Sequence, residues 1–218
     1  VLARSKPPTP ASPPGEEVRA LALDSMRQIL RNRSVYILCI ALFLGSGIVN
    51  SVFTLIDGLS KNIGLTTDQG VLLVTLLLVG GIAGSVVVPG ISDGLRRRKP
   101  IILGALFLAV PSTLGLVLGR GFALEVVCFF ALGFFVTGVT PVAYQYGAEI
   151  THPAPEGTSN GVFAVVVQAS GFLILLMDGL HGVFNESYVP TFAGLAILLL
   201  ACGFVAFGLK ESPEMGRR

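Results

Sequence analysis

The sequence predicts an all-α integral membrane fold with six transmembrane helices, and three observations carry that prediction. Apolar stretches cover residues 35–56, 71–88, 101–118, 122–147, 161–180 and 189–209, each near or above the roughly 18–20 residues a helix needs to cross the hydrocarbon core. Mean hydropathy is +0.79, with 52% hydrophobic and only 13% charged residues. The positive charge lies almost wholly on one side of the stretches. A large soluble core is the competing reading, but apolar segments that serve as core helices are shorter, about 10–14 residues. Lipid leaves no backbone group a partner outside its own segment, so lone strands are excluded and each stretch is a helix.

Orientation follows from the 15 Lys and Arg residues. With both chain ends on one face, that face collects Arg4, Lys6, Arg19, Arg27, Arg31 and Arg33 ahead of the first span. It adds Arg96, Arg97, Arg98 and Lys99 between the second and third, and Lys210, Arg217 and Arg218 after the last. Only Lys61 and Arg120 fall opposite. The positive-inside rule therefore places both ends of the segment in the cytoplasm, and the plasma membrane is the expected location. The net charge of +2 reflects topology and an anionic inner leaflet, and does not argue for a nucleic-acid partner.

Residues 1–15 open with Lys6-Pro-Pro-Thr-Pro-Ala-Ser-Pro-Pro-Gly15, a composition that predicts an extended, disordered linker. The chain begins at Val1 rather than Met, and no signal peptide is expected ahead of the first span. Residues 16–32 carry Val18, Leu21, Ala22, Met26, Ile29 and Leu30 at helical spacing. Glu16 and Glu17 stand at the start and Arg27, Arg31 and Arg33 at the end, which suits the helix dipole. An amphipathic helix on the cytoplasmic surface is expected there. The six-helix domain then runs over 33–210 and a cytoplasmic tail over 211–218. A long linker and surface helix ahead of six spans predict the C-terminal half of a longer chain.

Chemistry-bearing residues are sparse. Cys39, Cys128 and Cys202 each fall within a span and read as packing residues, not as a disulfide or zinc framework. His152 and His181 lie on opposite faces by topology, so paired-histidine haem ligation is hard to build. No nucleophile–base pair or metal cluster stands out, so neither an enzyme nor a cofactor is expected. Asn185-Glu-Ser187 is a sequon on the outer side, and Asn32-Arg-Ser34 is a cytoplasmic one.

Polar groups within the spans are the informative positions. Gly47, Asn50, Thr54 and Asp57 fall on one face of the first span, at i, i+3, i+7 and i+10. Gly133, Thr137, Thr140 and Tyr144 form a stripe beside Pro141 on the fourth. Gly161, Ala164, Gln168, Gly171, Leu175 and Asp178 share a face of the fifth, with Gln168 at mid-depth. Small residues and hydroxyls serve helix packing equally well. Mid-membrane amides are costly unless they find partners or line a wet cavity, so Asn50 and Gln168 mark a binding face. Gly80, Gly81 and Gly84 in the second span read as packing and gating.

The segment Pro89-Gly-Ile-Ser-Asp-Gly-Leu-Arg-Arg-Arg-Lys-Pro100 resembles the signature loop of the major facilitator superfamily. Pro89 stands where that pattern has its first glycine and Arg96 where it has a later one. Asp93 and the basic run Arg96, Arg97, Arg98 then predict a latch at the inner face that holds in one conformation, with Glu149 and Glu156 as further gating acids. The run Gly133-Phe-Phe-Val-Thr-Gly138, Pro141, and Glu149-Ile-Thr-His-Pro-Ala-Pro-Glu-Gly-Thr-Ser-Asn-Gly161 resembles the feline leukaemia virus subgroup C receptor-related transporters, and a looser likeness covers residues 32–210. The resemblance implies one half of a twelve-helix major facilitator fold, partnered by an N-terminal six-helix half of the same transporter. It also implies a small-molecule substrate of the kind carried by that family, in which choline and ethanolamine transport and haem export are described. Gln168 occupies the place of a glutamine that contacts the choline ammonium in that family. Thr54, next to Phe53, stands where the family has an aromatic residue, and Gln145 where related members have an acid.

A cationic amine would be held by carbonyl oxygens and π faces, for which Gln168, Asn50, Phe53, Thr54, Thr137, Tyr144 and Tyr146 are the candidates. The expected activity is facilitated diffusion of a small organic cation by alternating access. A haem exporter, a carrier of an unrelated solute and a non-transporting membrane receptor are the alternatives. A receptor needs neither mid-membrane amides nor a latch, and an anion carrier would place Lys or Arg in a span. The acids Asp57, Asp178, Asp93 and Glu149 lie near span ends and away from Gln168, which predicts transport without proton coupling.

Overall fold

The computed structural model describes residues 22–62, 64–118, 121–184, 187–209 and 211, which form an all-α bundle. Helix α1 covers Ala22–Ile29, α2 Arg33–Asn62, α3 Thr67–Leu95 and α4 Lys99–Leu118. Then come α5 Phe122–Leu132, a π-helical turn Gly133–Thr137 and α6 Gly138–Thr151. The chain continues through α7 Glu156–Ala169, α8 Phe172–Val183 and α9 Val189–Ala206. Helices α5 to α6 make one continuous span and α7 to α8 another, so among the described residues 6 spans are long and apolar enough to cross a membrane. The linker 1–15, the first part of the 16–32 helix, Asn185 of the outer sequon and the tail beyond Glu211 lie outside the described residues.

The first four expected stretches lie inside continuous helical spans, most of which run further than the apolar runs; the fifth is interrupted by a turn at Ser170 and Gly171, and the last outruns α9, which ends at Ala206, by three residues. Helix α3 begins four residues before Val71 and ends seven after Val88. Its start is fixed by a capping box, in which the Thr66 side chain accepts from the Gln69 N–H and the Gln69 side chain accepts from the Thr66 N–H. Its end is set by Arg96, whose φ of 51° puts it in the left-handed region. The expected loop at 93–100 shrinks accordingly to three residues, Arg96 to Arg98. Likewise Glu149 is helical, and the turn between α6 and α7 is only His152 to Pro155.

Glycine explains the tightest seam. A Cβ at Gly80 or Gly84 of α3 would overlap the backbone carbonyls of Phe130 or Phe134, and one at Gly133 would overlap that of Leu77. The second and fourth spans therefore approach backbone to backbone, as small residues permit in lipid. The π turn sits on this seam, with Gly133 buried against α3. In contrast, α3 exposes Val71, Leu78, Ile82 and Val86, and α8 exposes Phe172 and Leu175. Such surface is expected of a body covered by lipid or by another apolar body.

Helix α1 buries Ile29 and packs against α7, while Met26 and Leu30 stay exposed. The Asn32 side-chain amide donates to the Ile150 carbonyl at 3.0 Å. That bond brings the start of the first span to the end of the fourth, at the end of the bundle that carries residues 96–98. This end is called the basic end below.

Candidate functional site

Two groups of polar residues stand out, one at mid-depth and one at the basic end. At mid-depth the Asn50 side-chain amide donates to Ser170 Oγ at 3.3 Å, joining the first span to the break between α7 and α8. Thr54 donates to the Asn50 carbonyl at 2.9 Å. Ser170 lies two residues from Gln168, where the helix gives way to a turn and the Gly171 N–H returns to the Gln168 carbonyl at 3.2 Å. Asn50 therefore has the partner that a mid-membrane amide requires, and Ser170, which the sequence does not single out, supplies it.

The stripe on the fifth span is its open face. Gly161, Ala164, Gln168, Leu175 and Asp178 are exposed and Gly171 is half-buried. Thr54 is exposed beside it on the first span, and Phe53 is half-buried. The remaining candidates are held elsewhere. Thr137 is exposed at the end of the π turn and lies against Gly81 of α3, whose Cβ would come within 3.2 Å of it. Tyr144 packs edge-on against Phe163 of α7 with centroids 5.9 Å apart. Tyr146 is fully buried, so its ring is part of the core and not a face open to solute. The helix phase shifts at the π turn, and the expected single stripe on the fourth span is divided between two environments.

At the basic end Arg98 is the centre, with its side chain 1% exposed. Its guanidinium donates to Asp93 Oδ1 at 2.6 Å, to Ser92 Oγ at 3.1 Å and to Glu149 Oε1 at 3.3 Å. The Arg98 and Lys99 backbone N–H groups both donate to Glu211 Oε1, at 2.8 and 3.2 Å. A carboxylate on the free N–H groups that open α4 is favoured by the helix dipole. Lys99 Nζ in turn donates to the Phe207 carbonyl at 2.7 Å, just past the end of α9. One cluster thus ties α3, α4, α6 and the residues after α9 together.

The two acids of the expected latch are in different surroundings: Asp93 has a side chain 60% exposed, whereas Glu149 is only 13% exposed. Helix α3 continues seven residues past its apolar stretch, which leaves Asp93 on an open face. The left-handed turn at Arg96 then folds Arg98 back underneath. Arg96 and Arg97 are exposed, and Glu156 is exposed in the first turn of α7. An open cavity of about 470 Å³ lies between α6 and α7, lined by Gln145, Glu149, His152, Glu156 and Asn160 among others. A second, apolar cavity among α2, α4, α6 and α9 measures about 30 Å³, room for a single water.

At the end opposite the basic one, Tyr188 stacks on His181 with centroids 4.1 Å apart and lies over Gly58, where a Cβ would sit 2.9 Å from its hydroxyl. Burial and then the nearby Asp178 push the Tyr188 phenol up. Glu125, in the first turn of α5, is 1% exposed. Sequence reasoning passed over it, although it is the one carboxyl inside the fourth apolar stretch.

The arrangement is that of known carriers. An uncharacterised protein of Archaeoglobus fulgidus is 27% identical over 90% of this chain and 89% of its own length. Choline/ethanolamine transporters of Danio rerio and Felis catus are 30% and 32% identical over 84% and 71% of this chain. The chain spans only about a third of those two, 37% and 28% of their lengths. The xylose transporter XylE from E. coli, in an inward-open conformation, shares the fold with a TM-score of 0.65 at 15% identity, over 84% of this chain and 49% of that one. The six spans thus match half of a twelve-helix fold. The model of the Major Facilitator Superfamily matches residues 1–175 and again 38–217, and the chain belongs to that superfamily.

Proposed function

We propose that this chain is the C-terminal half of a facilitator that carries a small organic cation, such as choline or ethanolamine, by alternating access. The observation that carries the reading is the open mid-depth face of Asn50, Thr54 and Gln168, anchored by the Asn50–Ser170 bond. A second six-helix half of the same transporter covers this face, and the substrate sits between the halves near the midplane. Amide and hydroxyl oxygens suit an ammonium group without the cost of a full buried counter-charge. The choline/ethanolamine transporters among the relatives support that substrate class. Phe53, half-buried next to Thr54, is the aromatic residue this half offers beside the face, and the stronger aromatic contacts come from the covering half.

The Arg98 cluster is the latch of this reading. It holds the basic end of α3, α4 and α6 in one arrangement and loosens when that end opens. Thirteen positive charges on that side support a cytoplasmic location for both ends of the segment, and the plasma membrane is the proposed location. The test is reconstitution of the complete transporter in proteoliposomes, with labelled choline, ethanolamine, xylose and haem offered in turn. Saturable uptake of an amine, competed by the other amine and not by the sugar, is the expected result. Uptake of only a neutral or anionic solute refutes the substrate class while leaving the fold untouched.

A further inference from the structure

Glu125 is the buried carboxyl to which the transport reading gives no part. Its side chain sits in the seam that α5 makes with α3 and α4, 1% exposed, and neither carboxyl oxygen has a hydrogen-bond partner. It does not cap its own helix, because neither carboxyl oxygen accepts a hydrogen bond from the first N–H groups of α5. One turn deeper the seam is closed. A Cβ at Gly115 of α4 would overlap the Cys128 thiol, and Phe129, Leu132 and Leu116 are fully buried. An ionised carboxylate without a partner is costly in such a place, and a neutral carboxyl is far less so. Among the described residues, the titratable or charged groups on the packed elements are few. Helix α5 has Cys128, α4 has only Lys99 at its far end, and α3 has Asp68 and Asp93, both exposed at its two ends. Arg120 lies five residues upstream, outside the described residues.

We propose that Glu125 is a proton-binding site: its carboxyl is carried neutral in this conformation, and losing that proton slows the transport cycle by forcing the outer part of the α3–α4–α5 seam apart. The seam lies away from Asn50 and Gln168, so the proton sets the rate and does not accompany the substrate. A neutral carboxyl in an apolar seam also has a chemical signature, reaction with a hydrophobic carbodiimide. The carboxyl oxygen bonds to the central carbon of the carbodiimide while the acid proton passes to one of its nitrogens. An oxygen-to-nitrogen acyl shift then gives a stable N-acylurea. Nothing is oxidised or reduced, and no group leaves.

The experiment uses the complete transporter in proteoliposomes, treated with dicyclohexylcarbodiimide across a pH series and analysed by peptide mass spectrometry. An adduct on Glu125 is expected at acid and neutral pH, falling about tenfold per pH unit above its midpoint and absent in Glu125→Gln. Uptake should decline over the same alkaline range in the wild type and stay flat in Glu125→Gln, whose amide mimics the neutral acid. Only the uptake arm rests on the proposed function, so failure of that reading leaves the labelling arm intact. No adduct in a monodisperse, folded protein overturns the proposal. So does an adduct that ignores pH, or an uptake profile unchanged in Glu125→Gln. Labelling that appears only in Arg120→Ala also overturns it, since that result would mean an ion-paired carboxylate.

Discussion

Replacing Arg98 with Ala removes the one side chain on which the basic end converges. The cost follows from what is left behind. Glu149 is 13% exposed and directs one oxygen at the guanidinium from 3.3 Å. Breaking a buried pair by deleting one partner costs about 3–5 kcal/mol. Asp93 lies closer, at 2.6 Å, but its side chain is 60% exposed, so solvent takes over and its share is about 1 kcal/mol or less. The Ser92 bond adds about 1 kcal/mol. The long Glu149 contact puts the pair at the low end of its range, and with the Asp93 and Ser92 shares Arg98→Ala should destabilise the protein by about 4–5 kcal/mol. Arg98→Lys keeps the charge and loses the fork, and should recover only part of this. Thermal unfolding of the purified complete chain measures the loss, and a double-mutant cycle with Glu149→Gln should give a coupling of about 2 kcal/mol. Labelling of a cysteine introduced at the basic end should rise in Arg98→Ala as that end opens. The reasoning fails if Arg98→Ala costs less than about 0.5 kcal/mol, the level of an ordinary surface change. It also fails if Asp93→Asn costs as much as Glu149→Gln.

The mid-depth face makes two further predictions. Gln168→Ala should lower uptake of the true substrate about tenfold, a loss near 1.4 kcal/mol, with normal surface expression, and unchanged uptake kinetics refute its role. Ser170→Ala should cost about 1 kcal/mol in thermal unfolding, and adding Asn50→Ala to it should cost little more, whereas full additivity means that the 3.3 Å contact is not formed. Arg96→Gly removes a side chain from a left-handed residue and should raise stability by about 0.5–1 kcal/mol, less if glycine's chain entropy dominates; a clear loss of stability means the Arg96 side chain makes contacts of its own. Imposing a pH gradient on vesicles at fixed membrane potential should change the rate of uptake and produce no accumulation above the substrate gradient, and accumulation that tracks the gradient shows true proton coupling.

The spans were legible in the sequence because burial in lipid is a matter of composition. What composition does not record is where the backbone ladder breaks. The π turn at Gly133–Thr137 lies against α3 and the step at Ser170–Gly171 against α2, contacts that only tertiary packing reveals. The latch shows the same limit. Four basic residues in a row carry equal charge, and the turn at Arg96 decides that Arg98 points inward while its neighbours face out. That turn stands where the superfamily pattern has a glycine, so the departure at Arg96 was the available signal. Glu125 was visible too, as a carboxyl at the start of the fourth apolar stretch, but its burial is a matter of packing that composition does not record.

Close packing and loose packing are divided between the spans in a way that bears on how a carrier of this build moves. The second and fourth spans meet backbone to backbone through Gly80, Gly84, Gly133 and Gly138, and any slip there drives a carbonyl into a Cα. The latch adds α4 and Glu149 to the same body. The fifth span is different: α8 exposes Phe172, Leu175 and Leu176, and the helix is broken beside Gln168. A hydroxyl–amide bond to Asn50 secures that break at mid-depth, and in lipid such a bond contributes only about 0.6–2 kcal/mol. A substrate that engages Gln168 and Asn50 therefore acts on elements whose attachment is comparable in energy to its own contacts. Under the proposed function, binding shifts the fifth span relative to the welded pair at little cost, while the welded pair itself stays together as a rigid body.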